Sequence, residues 1–293
     1  MKKINLADPA CAVAPRPVKL IAVDLDGTLL NDFGRASEKD IAAIRSAMDQ
    51  GVMVVASTGR PYDDMPVSEL ERVGIRYAIT VNGAAVYTIP GRECLFERTM
   101  DSSRIADLLE PLSELDVFAN VMIDGHGNGV SRQEPVIGRL GTTEYFKEKF
   151  RKDTDFFEDL SGRIREKHLR VQKIAITFYK EEDGTIHDLD RVCEIMRDYP
   201  ELTMVAGWTC NREITGEGVS KGAALSWFCD RFGVPLDQTM AIGDTENDAE
   251  IIRTAGIGVA MANSDDEALK AADYLTSSNL EDGVGLAIRS FLP

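Results

Sequence analysis

The chain has 293 residues, 44% of them hydrophobic and 28% charged, which is the composition of a soluble globular protein and enough length for two domains. Forty-nine acidic against thirty-three basic residues leave a net charge of −16 with no basic patch, which argues against a nucleic acid or an anionic membrane surface as partner. The apolar runs are strand-length, far below the roughly 20 residues a membrane span needs.

Met1-Lys2-Lys3 mimics the start of a signal peptide, but Asp8, Pro9, Arg16 and Pro17 break the stretch that follows, so residues 1–17 read as a loose tail. Short apolar runs at 20–23, 52–56 and 77–81 then read as strands buried on both faces. Between the first two, Ser37 is placed to cap a helix with the apolar stripe Ile41, Ile44, Ala47 and Met48, and Gly51 sits at its stop.

From about residue 100 to 208 the pattern changes. A helix carrying Ile105, Leu108, Leu109 and Leu112 precedes a strand at 117–123 and a charged stretch. A strand with Ile174, Ile176 and Phe178 alternating follows, then a helix with Ile186, Leu189, Val192, Ile195 and Met196. Beyond it come a helical pattern over 221–232 closed by Gly233, strands at 240–242, 257–261 and 274–275, and Ser264 with Glu267 as a capping box. The predicted fold is α/β: a Rossmann-like parallel sheet core with helices on both faces, interrupted by a smaller inserted α/β (α+β) domain. The expected boundaries are 1–17 tail, 18–99 core, 100–208 insertion and 209–293 core. Five scattered cysteines, an odd number without a Cys-x-x-Cys pair, suggest a reducing cytoplasm and no thiolate metal site.

Open α/β sheets bind ligands beyond the carboxyl ends of their strands, so the residues following each run carry the chemistry. These are Asp24 to Thr28, Ser57-Thr58-Gly59-Arg60, Asn82-Gly83 and Gly243 to Asp248, with Lys221 opening a later helix. Asp24 and Asp26 leave a strand on the same face, where two carboxylates repel, raise one pKa or need a cation between them. Asp244 and Asp248 can approach the same spot, and hard oxygen donors without His or Cys suit Mg²⁺. A single Asp at such a turn is most often a helix cap. A pair on one strand face goes beyond capping. A lysine in the first turn of a helix opposes the macrodipole, which points to an anionic partner for Lys221. Thr58 alone would read as a cap; at a strand end facing Asp24 its hydroxyl and nearby N–H groups could hold phosphate oxygens.

Asp24 to Thr28, Thr58-Gly59-Arg60, Lys221 and Gly243 to Asp248 occur in the order of the four motifs of the haloacid dehalogenase superfamily. From residue 18 onward the chain resembles that family's phosphohydrolases, in particular the Cof-like branch with a large α/β cap. Residues 258–263 and 278–283 also resemble that branch, with Ala262 where it often has glycine. The resemblance implies a Mg²⁺-dependent phosphatase acting on a small phosphorylated metabolite, such as a sugar phosphate or related monoester, enclosed by the cap. It implies Asp24 as nucleophile forming an aspartyl-phosphate, Asp26 as general acid and base, and Thr58 and Lys221 on the transferred phosphoryl. Asp24, Asp244, Asp248 and the Asp26 carbonyl are the implied metal ligands.

On the substrate side, beside Thr58 and Lys221, Gly59, Arg60 and Asn82 are expected, Arg60 as an anion contact. Asn247 joins them, orienting Asp24 or a metal-bound water, or serves only an Asx-turn. The alternatives to hydrolysis are a phosphotransferase or mutase using the same intermediate, and a phospho-accepting switch, against which Asp26 and the insertion argue. The oligomeric state is open.

Weaker signals complete the reading. Gly125 to Gly129 is taken as a mobile turn in preference to a substrate loop, His126, His168 and His187 have no metal-ligand spacing, and Trp208 is expected as a buried anchor.

Overall fold

The computed structural model describes residues 3–8, 10–11 and 13–292; Met1, Lys2, Pro9, Ala12 and Pro293, the first four within the expected tail, lie outside the described residues. The first third contributes β1 (Ile4–Asn5), β2 (Leu20–Asp24), α1 (Glu38–Asp49), β3 (Met53–Ser57), α2 (Val67–Val73), β4 (Tyr77–Thr80), β5 (Ala85–Thr88) and β6 (Cys94–Glu97). The middle contributes α3 (Ser102–Ser113), β7 (Phe118–Ile123), β8 (His126–Val130), α4 (Glu144–Lys152), β9 (Thr154–Phe157), α5 (Leu160–Lys167), β10 (Val171–Thr177), α6 (Leu189–Met196), β11 (Leu202–Ala206) and β12 (Asn211–Gly216). The last third adds α7 (Lys221–Phe232), β13 (Thr239–Gly243), α8 (Ala249–Thr254), β14 (Ile257–Ala260), α9 (Asp266–Ala271), β15 (Tyr274–Leu275) and α10 (Gly283–Phe291).

The chain divides into two compact units: one runs up to Arg60, over Pro66–Phe96 and from Ser220 on, the other comprises Pro61–Met65 and Glu97–Val219. The first unit holds a sheet of order β1-β15-β14-β13-β2-β3-β4-β5-β6, parallel from β1 through β4, with β5 antiparallel to β4. Each predicted core strand is found within one residue of its expected ends. Continuous apolar runs form its centre because both faces are covered. Leu20, Ala22 and Val55 pack with Leu225 and Phe228 of α7 and Ile251 of α8. Alternation turns Ile21, Val23 and Val54 to the opposite face, where α1 packs on β3, α2 and α10.

Local signals explain the helix ends. Ser37 caps α1 by accepting from Asp40 N, and Gly233 closes α7 in the left-handed conformation. Two expectations change. The region taken for a loose tail contains β1, which pairs in parallel with β15, and Leu6 N donates to Leu275 O at 2.7 Å; an exposed sheet edge offers such pairing to any adjacent chain. Asp265, not Ser264, caps α9: its carboxylate accepts from Glu267 N and Ala268 N, while Ser264 Oγ donates to Gly243 O.

The second unit is a sheet of order β11-β12-β10-β7-β8-β9, antiparallel except for β8 with β9. One face carries the apolar core that Leu108 and Leu112 of α3, Ile164 of α5 and Val192 of α6 form with Val121, Ile174 and Ile176. Two expectations change here too. Most of the glycine-rich stretch expected as a mobile turn lies in β8, where Gly127 and Gly129 admit the Asn120 and Phe156 side chains close to the backbone. Trp208 is not a buried anchor: it lies in the turn after β11, is 46% exposed, and lines a cavity of about 560 Å³ with Phe146 and Gly141 to Thr143.

Candidate active site

Parallel pairing brings three strand ends together. Asp24 closes β2 in register with Ser57 of β3, and Val23 is in register with Ile242 of β13. Thr58 and Asp244, the residues just beyond β3 and β13, therefore emerge beside Asp24, and all three are buried.

Lys221 enters from the first turn of α7, whose N-cap is Ser220. Its ammonium, 1% exposed, donates to Asp24 Oδ1 at 2.7 Å, Asp248 Oδ1 at 2.6 Å and Asn247 Oδ1 at 3.1 Å. Burial by itself would lower the lysine pKa. The Asp24 and Asp248 carboxylates outweigh burial and hold it above the ordinary lysine range. Burial pushes Asp24 well above the usual carboxylate range, the Asp248 charge adds to it, and Lys221 opposes both. Asp244 is pushed up to about 7, chiefly by burial; the Thr28 hydroxyl, donating to it at 2.8 Å, works against the shift.

With all three ionised, the buried carboxylates facing one ammonium would carry an excess of two negative charges, which is why burial holds protons on Asp24 and Asp244 when no cation is bound. Asp24, Asp244 and Asp248 each offer an oxygen, all within 4.8 Å of one another. An oxygen-only donor set with unbalanced charge fits Mg²⁺. Asp248 is the most engaged of the three, because its other oxygen accepts from Asp244 N at 3.1 Å and Thr245 N at 3.2 Å. Gly27 keeps the space beside Asp244 open: it has φ +81°, and a Cβ there would stand 2.4 Å from Asp244 Oδ2.

Asp26 lies at the exposed side of this cluster. Arg60 grips its carboxylate with a two-point fork, Nε donating to Oδ2 at 2.7 Å and Nη2 to Oδ1. Arg60 was expected as an anion contact, and Asp26 is an anion that it grips. Thr58 Oγ1 accepts from Arg60 N at 3.1 Å. Asn82, left-handed at φ 59° and 8% exposed, accepts from Asn247 Nδ2 at 3.4 Å. Gly59 lets Asn82 approach, since a Cβ on Gly59 would lie 2.7 Å from Asn82 Oδ1.

Sequence reasoning missed the second layer. Thr28 anchors Asp244, Asn263 Nδ2 donates to Gly27 O at 2.8 Å, and Asp265 N donates to Asp244 O at 2.9 Å while its carboxylate accepts from Glu246 N. Thr28 closes the Asp-Leu-Asp-Gly-Thr run and Asn263 ends the 258–263 stretch, so both were legible as motif residues without these roles; Asp265 carries no spacing signal. The histidines belong to the second unit: His126 pairs with Asp63 and Asp155, His187 with Glu181 and Asp188, and His168 ends α5.

The profile of the haloacid dehalogenase-like hydrolases matches residues 21–288. The phosphatase YwpJ of Bacillus subtilis is 30% identical over 94% of this chain and 100% of its own length. The 5-amino-6-(5-phospho-D-ribitylamino)uracil phosphatase YcsE of the same organism is 32% identical over 94% of this chain and 96% of its own. Among solved structures, a haloacid dehalogenase-like hydrolase from B. subtilis superposes with a TM-score of 0.77 at 27% identity, covering 94% of this chain and 100% of that one.

Proposed function

We propose that this chain, which belongs to the haloacid dehalogenase-like hydrolases and is a phosphatase, hydrolyses a small phosphate monoester of the sugar-phosphate kind through a phosphorylated Asp24. The observation that carries this reading is the buried triangle of Asp24, Lys221 and Asp248, with one Asp24 oxygen not held by Lys221. Support for the substrate class comes from YcsE, whose substrate name contains a phospho-ribityl chain.

Asp24 attacks phosphorus through its oxygen not held by Lys221. The bond from phosphorus to the leaving oxygen breaks, and that oxygen takes the proton that Asp26, once the substrate anion has drawn Arg60 away, has taken up from water. A water then attacks the aspartyl phosphate and gives its proton to Asp26, returning Asp24 to a carboxylate. Dividing the displacement in this way replaces one hard step by two easier ones. Lys221 balances the charge of Asp24 and of the phosphoryl group, while the Thr58 hydroxyl, nearby backbone N–H groups and Asn82 hold phosphoryl oxygens. Arg60 keeps Asp26 in place until the substrate anion competes for the guanidinium, and Asn247 keeps Lys221 aimed at Asp24. Mg²⁺, when bound by Asp24, Asp244, Asp248 and the Asp26 carbonyl, would supply further charge neutralisation at the phosphoryl oxygens.

Among the described residues no helix is long and apolar enough to cross a membrane, and the five free cysteines support a reducing, cytoplasmic setting.

Phosphate release from a panel of sugar phosphates, sugar-alcohol phosphates, nucleotides, pyridoxal phosphate and an aryl phosphate tests the substrate class. The expected result is the highest kcat/KM on a sugar or sugar-alcohol phosphate; a preference for nucleotides would overturn it.

A further inference from the structure

The sheet of the second unit ends in β11, which pairs with β12 on one side and with no strand on the other among the described residues. The outward backbone groups of such an edge are a template for another strand, and proteins guard edges with charge, proline, bulges or short length. Strand β11 has none of these guards. Its five residues, Leu-Thr-Met-Val-Ala, run in unbroken register with β12, and residues 202–211 hold no charged side chain in a chain that is 28% charged. The other sheet edges differ: β1 has two residues, β6 ends in Glu97 and β9 carries Asp155. Alternation turns Leu202 and Met204 onto the helix-covered core, yet both stay half-buried, since that core stops at the edge. On the opposite face Val205 is 39% exposed, and beyond the strand Trp208 and Phe146, which line one cavity, add exposed aromatic surface.

We propose that β11 pairs antiparallel with β11 of a second copy of this chain, joining the two sheets into one across a twofold axis. An antiparallel strand is its own complement about such an axis, so a second copy presents the matching edge without any further device. Centred on Met204, the pairing sets Leu202 opposite the partner subunit's Ala206 and the two Met204 side chains opposite each other. Partners in this register lie on the same face, so the half-buried Leu202 and Met204 of both copies close over one apolar layer. Charge selects the place. Each copy carries −16, so two copies repel over most of their surface and meet most cheaply along a stretch without charge. Glu201, the acidic residue just before β11, is already held by Arg104 at 2.7 Å. Five paired residues a side are few beside the roughly 20–30 of a stable interface, so the dimer is weak and forms as concentration rises.

The test is sedimentation velocity over a wide range of concentration, with backbone hydrogen exchange of the segment covering β11, on wild type, Val205→Lys and Val205→Thr. It does not depend on the reaction proposed above. The mean mass of wild type is expected to rise from one chain towards two, while the amides of residues 202–206 exchange about tenfold more slowly at the highest concentration than at the lowest. Val205→Lys sets an ammonium on the edge and is expected to raise the concentration of half-pairing by about tenfold or more, with the melting temperature of the single chain and kcat/KM unchanged. Val205→Thr, uncharged and β-branched, pairs as wild type does. Wild type that stays a single chain throughout would overturn the inference. So would a dimer whose β11 amides exchange as fast as in the single chain, a half-pairing concentration that Val205→Lys leaves unchanged, or open-ended assembly beyond two copies. Should Val205→Lys fail to fold, the exchange of wild type decides alone.

Discussion

Lys221 is the shared counter-ion of Asp24 and Asp248: its ammonium lies 2.7 Å from one carboxylate and 2.6 Å from the other, with almost no exposure to solvent. Removing one partner of a buried ion pair leaves the other charges uncompensated, typically at a cost of about 3–5 kcal/mol. Lys221→Met is expected to lose that order of stability at pH 7.5 and to abolish turnover. Urea unfolding with and without Mg²⁺ checks it, and an unchanged midpoint would show that the carboxylates are not held by this lysine.

The apoprotein is expected to lose stability as pH rises. Asp244 sits near 7 in the folded chain against the ordinary 3.8, so between those values the folded state binds more protons than the unfolded one. Stability therefore falls as pH climbs through that window, by on the order of a few kcal/mol, and Asp24, raised in the same direction by burial, adds to the trend. Mg²⁺ competes with protons for these oxygens, so it should raise the melting temperature more at pH 8 than at pH 5.5. Melting curves in chelator and in Mg²⁺ across that range provide the check.

Gly27→Ala should weaken metal binding without touching a ligand. Its backbone is left-handed, and the added methyl would meet Asp244 Oδ2. The expected result is a loss of about 1–2 kcal/mol in stability and a higher Mg²⁺ concentration for half-maximal rate. An unchanged Mg²⁺ dependence would mean that Asp244 is not a ligand.

The Arg60 and Asp26 fork is partly exposed, with side chains 28% and 54% accessible, so its contribution to stability is small. Arg60→Ala is expected to shift stability by no more than about 1 kcal/mol and to lower kcat/KM sharply. Arg60→Lys should recover little, because a lysine cannot form the two-point grip. Asp26→Asn should still bind Mg²⁺ while turning over far more slowly. Kinetics read beside thermal melts separates these effects.

The parallel core and its strand-end residues were legible because the same feature shows both: continuous apolar runs that stop at Asp24, Ser57 and Gly243. Register then brings together residues more than 200 positions apart, such as Thr28 and Asp244, which periodicity along the chain does not reveal. The inserted unit was less legible. Strand β8 has a glycine at every second position and shows no apolar alternation, and β11 is largely exposed. Helix α4 is crowded with charge, which hides its apolar stripe. At α9 two capping residues compete, and the carboxylate of Asp265 prevails over the hydroxyl of Ser264 because it satisfies two N–H groups at once. The grip of Arg60 on Asp26 follows from two loops meeting, which only the folded chain shows.

The most direct test of the central claim is phosphate release from an aryl phosphate by wild type and Asp24→Asn, each in Mg²⁺ and in chelator. Release by wild type only with Mg²⁺, and none by the folded variant under either condition, is the predicted result. Comparable release by Asp24→Asn would contradict the account, because turnover would then proceed without the carboxylate that Lys221 holds.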